Sequence, residues 1–86
     1  MHNAEEPLFR TTSLHLASYL LARGLELLGL EPVEGRSGTY AFVFRDREDR
    51  PEAANAFLTG KGGPVDVHLF LEAQRRLKNL VHESPP

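Results

Sequence analysis

The stretch that decides the fold is "TYAFVF", residues 39–44. It is aromatic and β-branched and contains neither glycine nor proline, so it predicts a β-strand. The preceding segment, residues 25–31, is rich in leucine and contains Gly29, a pattern that fits either a helix or a strand. Because the turn-like "EGRSG" separates the two segments, we interpret residues 25–31 as the partner strand of a β-hairpin.

Helical patterns lie on both sides of this hairpin. Apolar residues recur at helical spacing in residues 14–23, 52–58 and 67–82. Thr12 or Ser13 is a suitable N-cap for the first of these helices, and Asp66 is a suitable N-cap for the last. A two-stranded hairpin is only marginally stable in water, so helices must cover one of its faces. The sequence therefore predicts an α+β domain with the order helix, hairpin, helix, helix, in which the helices pack on one face of the hairpin.

The predicted organisation is a single domain at residues 8–82, with a flexible arm at 1–7 and a frayed tail at 83–86. A chain of 86 residues has a small core, and the lack of cysteine rules out disulfides and thiolate zinc sites as additional support. We therefore expect a homodimer or a larger homo-oligomer. Leu69 and Leu71 flank the apolar stripe of the last helix and are the candidate interface, and an edge of the sheet is a second possibility.

Charge and hydropathy restrict the class of protein. The net charge is −2, which argues against a protein that binds mainly by neutralising many phosphates. The apolar runs are too short for a membrane-spanning helix, and residues 1–10 do not look like a signal peptide. We expect a cytoplasmic protein that does not contact a membrane.

Motifs for catalysis or metal binding are weak. No two of the four histidines are three or four residues apart in one predicted helix, and no nucleophile motif is present. One acid/base arrangement stays open, in which His15 pairs with Glu26 or Glu31 in a cleft. The more economical prediction is a protein that is not an enzyme, with no metal and no cofactor.

Two groups of side chains are candidates for binding a macromolecule. His15, Tyr19 and Arg23 recur every four residues and would share one side of the first helix. They could stack on a base or contact phosphate, form a protein interface, or simply be the solvent face of the helix. Arg75 and Lys78 of the last helix could contact phosphate or could likewise be solvated.

Two functions follow from these candidates. The first is a small protein-interaction module, which the slightly negative net charge favours. The second is a nucleic-acid accessory protein that contacts backbone or single-stranded bases through Tyr19, Arg23, Arg75 and Lys78.

Three stretches carry a resemblance to a known family: "TSLHLASYL" at residues 12–20, "YAFVFRD" at 40–46 and the end of the last helix, where Leu77 and Lys78 match. In these stretches the chain resembles an uncharacterised family of small bacterial and phage proteins, a domain of unknown function. The resemblance extends over about residues 9–82 and departs from the family pattern at Ser13, where aspartate is common. It implies a self-contained, non-enzymatic domain, and it implies no particular ligand or partner.

Overall fold

The computed structural model describes residues 7–62 and 65–84. In these ranges the chain forms six elements, in the order β1 (Leu8–Thr11), α1 (Leu14–Ala22), β2 (Leu27–Pro32), β3 (Tyr40–Arg45), α2 (Arg50–Leu58) and α3 (Val67–Glu83). The fold is a small α+β domain, as the sequence predicted. Most of the expected N-terminal arm, residues 1–6, and residues 85–86 of the expected tail lie outside the described ranges.

The sheet has one strand more than the sequence predicted. Its order is β1-β3-β2, with both outer strands antiparallel to β3. By its sequence, the segment "LFRT" is only an extended lead-in to α1, but it forms β1, and Phe9 lies opposite Phe44. Four residues carry too short a pattern to identify a strand, and β1 forms because β3 presents a second edge with which it can pair.

The ambiguous segment at residues 25–31 is confirmed as mainly a strand. β2 starts at Leu27, and its register against β3 shifts between Leu27 and Gly29. Gly29 has a φ of 154°, a conformation that glycine adopts without strain. This irregularity explains the mixed signal in the sequence, because a bulge interrupts the alternation of apolar and polar residues by which a strand is recognised.

The core lies on one face of β3. Phe42 and Phe44 point into it and meet buried side chains from all three helices, including Leu20 and Leu77, which are fully enclosed. Helix α1 packs against both other helices. The expectation that the helices cover one face of the sheet is therefore confirmed.

The opposite face of the sheet carries an ion pair that crosses the central strand. Arg10 of β1 lies opposite Val43 and Glu31 of β2 lies opposite Ala41, so all four side chains share this face. The Arg10 guanidinium donates to both Glu31 carboxylate oxygens, at 2.8 and 3.2 Å. This hydrogen bonding lowers the pKa of the Glu31 carboxyl and raises the pKa of Arg10. Val43 and Ala41 are small enough to be buried beneath the two long side chains.

Capping groups place the helices where the sequence predicted them. The Ser13 hydroxyl accepts from the Leu16 amide at the start of α1, and the Asp66 carboxylate accepts from the His68 and Leu69 amides at the start of α3. Each of these caps satisfies amide groups that the first turn of a helix leaves without a partner. Helix α3 ends one residue later than expected, at Glu83.

The charged segment "RDREDR" is more ordered than a solvated loop. Arg50 binds both oxygens of Asp46, at 2.8 and 3.0 Å, and its guanidinium lies 4.1 Å from the centre of the Phe9 ring. Arg47 holds Asp49 in a similar bidentate pair. The mixed charges of this segment predict a solvated loop, and residues 46–49 do form a loop, but its arginines and aspartates are held in ion pairs. Its opposite charges give no net field, but they connect β1, the end of β3 and the start of α2.

Candidate functional site

The residues singled out on α1 do not form one exposed stripe. His15 and Arg23 are exposed, but Tyr19 is only 4% exposed and belongs to the core. The Tyr19 ring stacks on Phe57 of α2, with the ring centres 4.7 Å apart and the planes at 28°. A base could stack on Tyr19 only if Phe57 moved away. Tyr19 is therefore available to a ligand only through its edge and its hydroxyl group.

The hydroxyl of Tyr19 has two close neighbours, Arg23 and Gly62. Arg23 donates a long hydrogen bond of 3.4 Å to it, and the Arg23 guanidinium lies 5.7 Å from the ring centre. A Cβ atom built on Gly62 would meet the same oxygen at 3.1 Å. This close approach leaves little room for a side chain at position 62.

A concave surface lies beside this stack, between the ends of α2 and α3. We call it the apolar pocket, and its volume is about 370 Å³. Its lining in the described part of the chain consists of Tyr19, Phe57, Gly60, Gly62, Val65, Val67 and Phe70. Three aromatic rings and two valines make this lining apolar, and the Tyr19 hydroxyl adds a polar group. Pockets of this size are typical of sites that enclose one side chain or a small ligand.

Local sequence explains how the pocket is built. Val65 precedes the Asp66 cap and Phe70 lies one turn into α3, which are the positions of a hydrophobic staple. Both side chains line the pocket, so this staple forms one of its walls. Gly60 ends α2 with a φ of 77°, which turns the chain across the Tyr19–Phe57 stack.

The stretch "GKGGP" is thus partly a packed element. Its glycines predict a flexible linker between two helices, but a side chain at Gly62 would press on both Tyr19 and Phe57. Gly63 and Pro64 lie outside the described residues.

The second candidate surface is the side of α3 that points away from the core. His68, Leu71, Arg75, Lys78 and His82 are all exposed, and they alternate at spacings of three and four residues. This spacing places them on one face, which we call the cationic face of α3. None of its four basic side chains has an ion pair within residues 7–62 and 65–84. The two acids of this helix, Glu72 and Glu83, line a shallow concavity with Arg76 that reaches Arg75 at the edge of the cationic face.

Leu69 and Leu71 are both about half exposed, but they do not share a patch. Leu69 borders a groove against Leu21 and Ala22 of α1, whereas Leu71 belongs to the cationic face. A two-residue step on a helix rotates the side chain by about 200°, so the two leucines face different ways. A single flat interface therefore cannot contact both Leu69 and Leu71.

A family model described as a domain of unknown function, DUF5659, matches residues 6–83, which is nearly the whole chain. The chain belongs to the DUF5659 family. Searches of curated proteins and of solved structures found no match. The expected resemblance to an uncharacterised family is confirmed, and the function has to be argued from the surfaces of this DUF5659 domain.

Ion pairs with arginines disfavour the acid/base arrangement considered for the DUF5659 domain. The Glu26 carboxylate binds Arg45 at 2.9 Å and the Glu31 carboxylate binds Arg10, whereas His15 lies exposed on α1. Hydrogen bonding lowers the pKa of Glu31, which is the opposite of what a general acid at neutral pH requires.

Two searches of the described residues of the DUF5659 domain were negative. No group of three or more potential metal-binding side chains comes together there. Among the helices described, each is too short or too polar to cross a bilayer.

Sequence reasoning missed most of the apolar pocket. Their spacing in the sequence places Phe57 and Phe70 on the apolar sides of their helices, but no local pattern shows that either ring lies near Tyr19. The signal that could have found part of the site is Val67, which is apolar and lies outside the core stripe of the last helix. Val67 is 67% exposed, which is unusual for an apolar residue that also lines a concavity.

Proposed function

We propose that this domain is a small, non-catalytic protein-interaction module and that its apolar pocket receives an apolar side chain of a partner protein. The observation that carries the proposal is the open pocket over the Tyr19–Phe57 stack, with Val67 exposed at its rim. Interfaces of proteins are commonly anchored by one large apolar side chain in a pocket lined with aromatic residues. The stacked rings provide such a base, because the core holds them in place before a partner arrives.

The competing concavity is less suited to this role. A larger hollow of about 710 Å³ lies at the turn between β2 and β3, but glycines and polar side chains of that turn form much of its wall. Leu30, Pro32, Val33 and Tyr40 also line it, but they flank a glycine-rich turn and do not lie over a stack of aromatic rings. The apolar pocket combines aromatic lining with rigid support and is therefore the better candidate.

The experiment compares two substitutions of exposed apolar residues on α3. Random peptides displayed on phage are selected against the whole domain, and their affinity is measured by fluorescence anisotropy for the wild type, Val67→Asp and Leu69→Asp. Val67 lines the apolar pocket and Leu69 lies in the groove against α1. We expect Val67→Asp to weaken binding by about tenfold or more. Leu69→Asp should bind within about twofold of the wild type.

Circular dichroism and thermal melting of both variants establish that the fold is kept, as expected for residues more than half exposed. Equal affinities of the three proteins, or selection of no peptide at all, would contradict the proposed function.

A nucleic-acid role is the competing hypothesis, and it rests on the exposed pair Arg75 and Lys78. Its test is a titration of labelled single- and double-stranded oligonucleotides at low and at moderate salt. An affinity that falls about tenfold per phosphate contact for each tenfold rise in salt concentration would favour this alternative.

A further inference from the structure

From the apolar pocket and the cationic face of α3 together, we infer that the partner is an acidic peptide segment, whose apolar anchor enters the pocket while its carboxylates lie along α3. The inference rests on the proposed function and specifies the chemistry of the partner. The two surfaces are continuous, because Val67 belongs to the pocket and Leu71, one turn further, begins the exposed row that leads to Lys78.

The charges of the chain direct an anionic partner to this helix. Residues 26–52 contain seven acids and four basic residues, whereas the cationic face contains no acid. Four of the arginines elsewhere in the described ranges are held in ion pairs, namely Arg10, Arg45, Arg47 and Arg50. Arg75 and Lys78 form no such pair within the same ranges, so their charges are available to a partner. An acidic segment would be attracted to α3 and disfavoured near the acid-rich segment at residues 26–52.

The distances set the spacing between the anchor and the carboxylates. Arg75 and Lys78 lie two and three turns beyond Val67, at about 12 and 16 Å along the helix axis. An extended partner covers 12–16 Å with about four to five residues, and a helical partner needs about eight to eleven. The partner segment should therefore show acidic residues at one of these two separations from its anchor.

A peptide fits these surfaces better than a nucleic acid does. The aromatic rings that a base would need are stacked on each other, with Tyr19 only 4% exposed. The cationic face has two permanently charged side chains, so the release of counterions from a nucleic acid would contribute little. An apolar pocket next to those charges matches instead a segment that carries both an apolar side chain and carboxylates.

The test reverses the charges of the cationic face and leaves the pocket intact. Peptides long enough to span three helical turns are selected against the wild type and against Arg75→Glu/Lys78→Glu, and their affinities are measured at low and moderate salt. We expect the wild type to select an apolar anchor followed by acidic residues. The double variant should bind these peptides about tenfold more weakly and should itself select basic ones. Arg36→Glu, on the turn between β2 and β3, is the control and should change affinity less than about twofold.

The outcomes separate this inference from the proposed function. If Val67→Asp weakens the binding of the peptides but the charge reversal does not, the pocket is still the binding site. That result would overturn the inference that the partner is acidic. An oligonucleotide that binds the wild type and competes with the selected peptides would overturn it in favour of a nucleic acid. If no peptide is selected, the proposed function fails and the inference fails with it.

Discussion

Tyr19 of α1 is a core residue that is only 4% exposed. On α1 it shares a spacing with two exposed side chains, but its ring is held by Phe57 and its hydroxyl by Arg23. Its position in the core makes it a structural residue first, and only its edge contributes to the apolar pocket.

The first prediction concerns this ring. Tyr19→Ala should lower the free energy of unfolding by about 3–5 kcal/mol, because it removes a buried aromatic side chain and leaves a cavity. Tyr19→Phe keeps the stack and loses only a 3.4 Å hydrogen bond to an exposed arginine, so it should cost less than about 1 kcal/mol. Urea denaturation followed by circular dichroism measures both. A Tyr19→Ala variant as stable as the wild type would show that the ring is not part of the core.

The second prediction concerns pH and the ion pair between Asp46 and Arg50. Hydrogen bonds from Arg50 lower the pKa of Asp46 in the folded state, although burial opposes them. A lowered folded pKa contributes stability above the ordinary aspartate value of about 4, and this stability is lost as the pH falls through the folded pKa. Asp46→Asn should therefore cost about 1 kcal/mol at pH 7 and almost nothing once the wild-type carboxyl is protonated.

Denaturation midpoints between pH 7 and pH 2 test this dependence, with Glu48→Gln on the same loop as the control. A constant difference between Asp46→Asn and the wild type across that range would contradict the assignment. So would an equal effect of Glu48→Gln.

At the scale of elements, Gly62 brings the chain that follows α2 close to α1. It does so through backbone proximity, because Gly62 approaches the Tyr19 hydroxyl and the Cα atom of Phe57. The apolar pocket therefore depends on a glycine that contributes no side chain to it. The caps at Ser13 and Asp66 then determine where α1 and α3 begin.

The third prediction tests this close approach. A methyl group at position 62 would lie 3.1 Å from the Tyr19 hydroxyl oxygen and 3.4 Å from the Phe57 Cα atom. Gly62→Ala should therefore destabilise the domain by about 1 kcal/mol, through overpacking. The same substitution in a Tyr19→Phe background should cost less, because the closest atom is gone. A double-mutant cycle by urea denaturation measures the difference, and strictly additive effects would show that the contact carries no energy.

At the scale of the whole molecule, the helices cover one face of the sheet and leave the other to charged side chains. Within the described ranges both β1 and β2 are outer strands, and each exposes a leucine, Leu8 and Leu28 respectively. Unpaired strand edges next to exposed apolar residues favour association with a second chain. The sheet, rather than Leu69 and Leu71 together, is therefore the better location for a homo-oligomer contact.

The fourth prediction is that the domain is a homodimer. Light scattering at micromolar concentration should give about twice the chain mass of 9.6 kDa. Leu28→Lys should return the mass to that of one chain, because charge on an outer strand disfavours edge pairing. Leu69→Lys should leave the dimer intact. A monomeric wild type would contradict the prediction. If Leu69→Lys dissociates the dimer and Leu28→Lys does not, the interface lies on α3.

What the sequence determined by itself was the set of elements with a strong local signal. The aromatic strand at 39–44, the capped helices after Ser13 and Asp66 and the α+β class all follow from periodicity and from hydrogen bonds within a few residues. The tertiary structure alone decided that "LFRT" pairs with β3, that Tyr19 is buried and that Phe57, Val67 and Phe70 enclose one pocket. Each of these depends on contacts between residues far apart in the chain, and no local pattern records which distant partner will cover a given side chain.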